Sequence, residues 1–173
     1  MCSKEAAPVR QLMKYTPGTA GSVMTSEPVI LTPDTTVAEA LARIREPELS
    51  PVVAAQVFVA RAPSATPSGK YLGMVHFQRL LREPPSSILG GLVDSDLDPL
   101  RPETDLTEIT RRMATYDMVA MPVVDGAYRL VGAVTVDDVL DHSLPRDWRD
   151  RDTHDDETAA ILRGTRQNPG AAT

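Results

Sequence analysis

Thr135 and Asp138 stand three residues apart at the foot of a stretch with helical spacing, and Asp141 follows Asp138 at the same interval. A hydroxyl and a carboxylate so placed at a helix start can hold a phosphate oxygen and a ribose diol, with the first helical amides assisting. Asp138 and Asp141 fall on one helical face. Magnesium suits such carboxylates, because it binds through one or two of them while keeping much of its water. The same Thr-x-x-Asp spacing is also a capping box that needs no ligand, and surface carboxylates are commonly just solvated. His76, His142 and His154 are far apart and share no metal-ligand spacing. No Ser-His-Asp order, glycine-rich phosphate loop or carboxylate pair in a catalytic frame is present, and nothing supplies a nucleophile. The chemistry on offer is binding, so the chain is not expected to be an enzyme.

Composition narrows the partners. The net charge of −6 argues against nucleic acid, whose phosphates need clustered Lys and Arg. Cys2 is the only cysteine, so no internal disulfide or cysteine metal site can form, which fits a reducing compartment. Residues 1–10 lack the apolar centre of a signal peptide. The longest apolar run, 52–60, is broken by Gln56 and falls far short of the roughly 18 residues a membrane span needs. A cytoplasmic protein without a span of its own is expected.

Those residues must be positioned by a fold, and the chain repeats itself. Gly21-Ser22-Val23-Met24 aligns with Gly90-Gly91-Leu92-Val93 at an offset of 69, which also carries Pro33 onto Pro102 and Glu39 onto Glu108. Val57-Phe58-Val59 matches Pro122-Val123-Val124 at an offset of 65, and Leu72-Gly73-Met74-Val75 matches Val131-Gly132-Ala133-Val134 at 59. The drift gives the first copy four extra residues before its second strand and six in the loop after it. That loop, 61–69, carries two prolines, two serines and a glycine, the composition of a tolerated surface insertion.

Each copy reads strand, helix, strand, strand, helix. The strands are expected at 29–31, 57–60 and 71–75, and at 99–100, 121–124 and 129–134. Thr36 with Glu39, and Asp105 with Glu108, are capping boxes that open the first helices. Val37, Ala40, Leu41 and Ile44, and in the second copy Leu106, Ile109 and Met113, then recur at helical spacing. Asp125-Gly126 marks a hairpin. Scarce aromatics and abundant Val, Ala, Leu and Met fit strands covered by helices. One copy alone has an incomplete core, and two packed together bury it.

Gly132-Ala133-Val134-Thr135-Val136-Asp137-Asp138 resembles the Gly-x-apolar-Thr-x-x-Asp signature of CBS domains. Over about 15–141 the chain is similar to the cytosolic CBS pair of MgtE-type magnesium channels, on Tyr15 through Thr25, Ala114-Thr115-Tyr116-Asp117, Pro122 through Asp125 and Val134 through Asp141. The resemblance implies an α/β (α+β) fold with mixed sheets, two tandem CBS units packed as a pseudo-two-fold disc. The units are placed at 15–81 and 87–142, flanked by an N-terminal helix or tail (1–14) and a polar C-terminal tail without fixed structure (143–173).

It also implies a homodimer and a weak Mg2+ site drawn from Asp105, Asp117, Asp138 and Asp141, with Thr107 standing at one further acidic position. An adenine nucleotide is implied at Thr135 and Asp138. In the first copy, His76 and Arg79 stand where that pair would be, and arginine cannot accept bonds from ribose hydroxyls. The channel's other domains are not in the sequence, and Pro145 interrupts the acidic helix that would lead to the membrane. The chain is therefore expected to be a fragment of a larger protein or a stand-alone relative. A membrane transport protein, or the absent neighbouring domains, is the expected partner. Three functions follow: a magnesium-responsive regulatory module, an adenine-nucleotide sensor, and a ligand-free dimerisation or docking scaffold.

Overall fold

The structure is a computed structural model and describes residues 15–144. The 1–14 helix or tail, Pro145, His154 and nearly all of the C-terminal tail lie outside those residues. The chain divides into two units, Met1–Val139 and Leu140–Thr173. The first holds both repeat copies up to the first turn of the last helix, whose remaining residues, 140–143, are counted with the second.

The first copy comprises helix α1 (Ala20–Val23), β1 (Ile30–Leu31), α2 (Val37–Ile44), α3 (Pro51–Ala54), β2 (Gln56–Ala60), β3 (Tyr71–His76) and α4 (Phe77–Leu80). A 3-10 turn (Leu89–Gly91) leads to the second copy: α5 (Leu106–Tyr116), β4 (Ala120–Val124), β5 (Leu130–Thr135) and α6 (Val136–Ser143). Strand β1 pairs parallel with β2, and β2 antiparallel with β3. In the second copy β4 and β5 pair antiparallel, and a parallel bridge from Leu100 to Val123 stands in place of β1. The mixed sheets and the strand, helix, strand, strand, helix order are those expected from the sequence.

The ladders correct one alignment. Val59 faces Gly73, and Val123 faces Gly132; likewise Phe58 faces Met74, and Pro122 faces Ala133. Since Gly73 and Gly132 are equivalent, Val59 corresponds to Val123, and the middle offset is 64 rather than 65. The first copy therefore carries five extra residues before β2 and five after it. All five residues of β2 and all five of β4 are buried, so no polar alternation marks which face each residue takes.

The copies are stitched together by exchange. Thr25, just after α1 of the first copy, bridges to Ala133 of the second; Asp94, in the segment that leads to α5 of the second copy, bridges to Met74 of the first. Each bridge runs past a glycine: a Cβ on Gly73 would lie 2.3 Å from the Asp94 carbonyl, and one on Gly132 2.6 Å from that of Thr25. Gly73 also sits at φ +144°, a conformation L side chains rarely adopt. Ile30, Phe58, Ala60, Tyr71, Met74, Ala120, Val124, Leu130 and Ala133 form a shared core drawn from both sheets. The larger of these apolar side chains each contribute roughly 1.5–3 kcal/mol when fully buried, and the alanines less. Two further cores lie under the helices, one around Val37, Val57, Leu80 and Leu89, the other around Leu100, Ile109, Met121 and Val134.

The two connecting loops are held more tightly than their composition suggests. The 61–69 loop is mostly exposed, but Ser68 is buried and pinned: its N–H donates to the Leu130 carbonyl (2.9 Å), and its Oγ accepts from the Leu130 N–H (3.0 Å). The Thr66 hydroxyl also donates to the Ser26 carbonyl at 2.6 Å. The insertion is thus anchored to the second copy and to the leading segment. The β4–β5 hairpin lies where Asp125-Gly126 marks it, and its left-handed residue is Tyr128 (φ 61°). The turn is organised by Asp125, whose carboxylate accepts from the N–H groups of Ala127 and Arg129, each at 2.9 Å.

Candidate functional site: two equivalent positions of opposite polarity

Strand β5 delivers Thr135 to the start of α6, where it is 6% exposed. Its N–H donates to Asp138 Oδ2 at 3.1 Å and its hydroxyl to the same oxygen at 2.6 Å, while the Asp138 N–H faces Thr135 Oγ1 at 3.4 Å. This is a reciprocal capping box with aspartate in the glutamate position. It brings together the two residues expected to hold a nucleotide and couples them to each other. The Val136 N–H donates to the Val119 carbonyl at 2.9 Å, and Ala120 faces Thr135 across the ladder. The bridge of Thr25 to Ala133 sets the leading segment beside the same strand.

The offset of 59 places His76 at the position of Thr135 and Arg79 at that of Asp138. His76 caps α4: its Nδ1 accepts from the Gln78 N–H at 3.3 Å, and burial lowers its pKa. Arg79 makes a loose, exposed ion pair with Glu83 at 3.7 Å, the kind of pair that adds little stability. His76, Gln78, Arg79, Arg82 and Glu83 line a depression of about 400 Å³. Across the ladder from His76 is Gln56, 2% exposed, whose Oε1 has no hydrogen-bond partner. Its counterpart in the second copy is Ala120. Sequence reasoning passed over Gln56; the available signal was a lone amide inside the apolar run 52–60.

The remaining expected metal residues are separate features. Asp105 is the N-cap of α5 and accepts from the Glu108 N–H at 3.0 Å. That cap is one-sided, because the Glu108 carboxylate pairs with Arg111 at 2.7 Å instead of returning to Asp105. Asp117 closes α5 in the left-handed conformation (φ 51°, ψ 40°), its N–H donating to the Met113 carbonyl. Asp105, Asp117 and Asp141 are exposed and Asp138 is half-buried. Among the described residues of one chain, no group of three or more His, Cys, Asp or Glu could hold a metal ion. Thr107 is exposed on α5. In the hairpin, desolvation pushes the Asp125 carboxyl up, but the bonds from Arg129 and Ala127 outweigh it and hold the pKa below the ordinary value. No helix among the described residues is long and apolar enough to cross a membrane.

The family model for the CBS domain matches residues 20–86 and 89–144. The magnesium transporter MgtE of Thermus thermophilus is 33% identical over 135 residues, covering 78% of this chain and 29% of the transporter. The chain thus spans less than a third of the length of the curated relatives it matches. Among solved structures, the cytosolic domain of the Mg2+ channel MgtE in complex with ATP is 34% identical, with a TM-score of 0.69, covering 78% of this chain and 52% of that one. A cystathionine beta-synthase pair domain from Shewanella oneidensis, at 22% identity and a TM-score of 0.67, shares the fold over 81% of this chain and 78% of its own.

Proposed function

The chain belongs to the CBS-domain family, as a CBS pair related to the cytosolic domain of MgtE, and on that premise we propose that it is a non-catalytic, magnesium-responsive regulatory module of the cytoplasm. The carrying observation is the relation to MgtE, at 33% identity across both copies. Within one chain the four carboxylates of Asp105, Asp117, Asp138 and Asp141 do not converge on an ion. Magnesium therefore acts on them between two copies of the chain or between this chain and a membrane transport partner, where opposed carboxylates repel until a cation screens them.

A homodimer supplies such opposition. Its support is an apolar groove of about 310 Å³ beside α2 and α4, lined by Leu41, Ile44, Ala54, Phe77 and Leu81 among others. Leu81 is 61% exposed, and Leu140, its counterpart in the second copy, is 49% exposed. An exposed apolar groove is a surface that a two-fold interface can cover.

The test is a thermal melt with millimolar MgCl2 against NaCl of equal ionic strength, on the parent chain and on an Asp138→Asn, Asp141→Asn variant. Magnesium raises the parent Tm well beyond sodium, since a ligand of the native state stabilises it by mass action. The double variant is more stable without the ion and has lost the response. A variant that is simply less stable, with magnesium acting alike on both proteins, would falsify the sensor and leave a dimerisation scaffold.

A second reading has its own support: the 34%-identical MgtE cytosolic domain was solved with ATP. An adenine nucleotide at Thr135 and Asp138 has to compete with their mutual hydrogen bonds. Asp138→Ala removes the carboxylate acceptor and abolishes nucleotide-induced stabilisation; an unchanged response to ATP, ADP and AMP would remove this reading.

A further inference from the structure

We infer that the hairpin end of the strands, where the two copies meet, is a docking surface for a short carboxylate-rich segment of a partner protein. The copies touch there through equivalent residues. The Arg61 N–H donates to the Lys70 carbonyl at 2.9 Å, and that of Asp125, at the same place in the second copy, donates to the Arg129 carbonyl at 3.0 Å. The offset of 59 that joins Gly73 to Gly132 also joins Lys70 to Arg129, and these two residues bridge to each other. A residue paired with its own equivalent lies on the local two-fold that relates the copies. One rung therefore runs from Arg61 through Lys70 and Arg129 to Asp125, across four neighbouring chain segments. Arg101 closes it, its guanidinium donating to the Asp125 carbonyl.

The rung sets four cations against one carboxylate. Arg61, Lys70, Arg101 and Arg129 are all exposed. Asp125 is taken up by Arg129 at 2.7 Å and by two backbone N–H groups. Arg61, Lys70 and Arg101 make no ion pair among the described residues. The Arg101 guanidinium lies 6.0 Å from the centre of the Tyr128 ring, a contact that keeps it on this surface. The whole chain carries a net charge of −6, so the positive excess here is local.

Positive charge is kept on the axis against a local cost. Directly opposed residues of an antiparallel pair put their side chains on the same face, and like charges there repel. Lys70 and Arg129 are exposed, so core packing requires a cation at neither. The copies differ at other equivalent positions, His76 against Thr135 and Arg79 against Asp138, yet both hold a cation at this one. The partner follows from the layout. Neighbouring strands lie about 4.8 Å apart, so the rung presents its charges along a line of roughly 20 Å. About six extended residues cover that length. A short acidic segment along the line meets the cations and little else. A membrane or a nucleic acid presents charge over a wider front and also meets the net negative charge of the rest of the protein.

The experiment follows the fluorescence anisotropy of a labelled octaglutamate peptide titrated with the full chain at low ionic strength. EDTA is present, so the outcome is independent of the magnesium and nucleotide readings. The parent binds the peptide, and added NaCl weakens the complex. Arg61→Gln with Lys70→Gln weakens binding at least tenfold, whereas Lys70→Arg, which keeps the charge, binds as the parent does. Arg111→Gln with Arg112→Gln removes the same charge from α5 and leaves binding unchanged. Lys70→Gln alone melts no lower than the parent, since it removes one of two opposed cations; a marked fall would make Lys70 structural and overturn the proposal. No peptide binding overturns it as well, and so does an equal loss in the two double variants, which would reduce the contact to overall charge. Phosphatidylserine vesicles and a single-stranded oligonucleotide are run in parallel. Tighter binding of either, with the same dependence on Arg61 and Lys70, puts a membrane or a nucleic acid in place of the acidic segment and overturns the proposal too.

Discussion

The two copies share a backbone plan and differ in what they do with it. In the second copy the end of the last strand passes into α6 through Thr135 and Asp138, a closed pair whose bonds satisfy the helix start. In the first copy the same junction is His76 and Arg79, leading into a helix of only four residues, with a buried amide behind it. Duplication kept what the sheets require and released what the junctions present. Apolar strand positions are bound by close packing on both faces. A helix-start side chain at the surface needs only to satisfy a few N–H groups, and hydroxyl, carboxylate and imidazole can all do that.

The largest expected effect probes the reciprocal strand exchange. Gly73→Val places a Cβ 2.3 Å from the Asp94 carbonyl at a φ of +144°, while Gly132→Val meets the Thr25 carbonyl at 2.6 Å without the dihedral penalty. Both variants should lose about 4 kcal/mol or more by urea denaturation, with Gly73→Val the worse. A Gly73 variant as stable as the parent would show that the exchange is dispensable in the first copy.

The caps of α2 and α5 sharpen the comparison at a smaller scale. Thr36 is capped in both directions, its N–H donating to Glu39 Oε2 at 2.8 Å, and Asp105 in one only. Thr36→Ala should cost about 1–2 kcal/mol and Asp105→Ala about 1 kcal/mol or less, compared by thermal melts. Equal losses would mean that the returning glutamate adds nothing.

The smallest effect is a matter of pH. Burial lowers the pKa of His76 in the folded chain. The folded state therefore prefers the neutral ring, and its contribution is full above the unfolded value of about 6.5 and lost as pH falls below that. His76→Thr, which imports the second copy's residue, should flatten the acid side of the stability profile below about pH 6.5. A profile unchanged by the substitution would assign that slope to other groups.

Much was legible before any coordinates. The repeat, the element order, the Thr36 cap and the Thr135 to Asp138 pairing follow from residue types at fixed spacing, because helix caps and apolar periods are local. The register of β2 against β4 was not, and the sequence alignment slipped by one there. A strand buried on both faces carries no alternation to count, so only the ladder of hydrogen bonds could fix it. The left-handed turn residue Tyr128 likewise goes with Asp125 gathering two amides.

By itself, then, the sequence determined that two similar units exist and which residues begin their helices, since those are interactions within a few residues. Only the tertiary structure decided what lies beside what across long separations. It set Asp94 against Gly73 and Thr25 against Gly132, and tied Ser68 to Leu130. It buried Gln56 behind His76 because strand pairing, and not sequence distance, selects which side chains share a face.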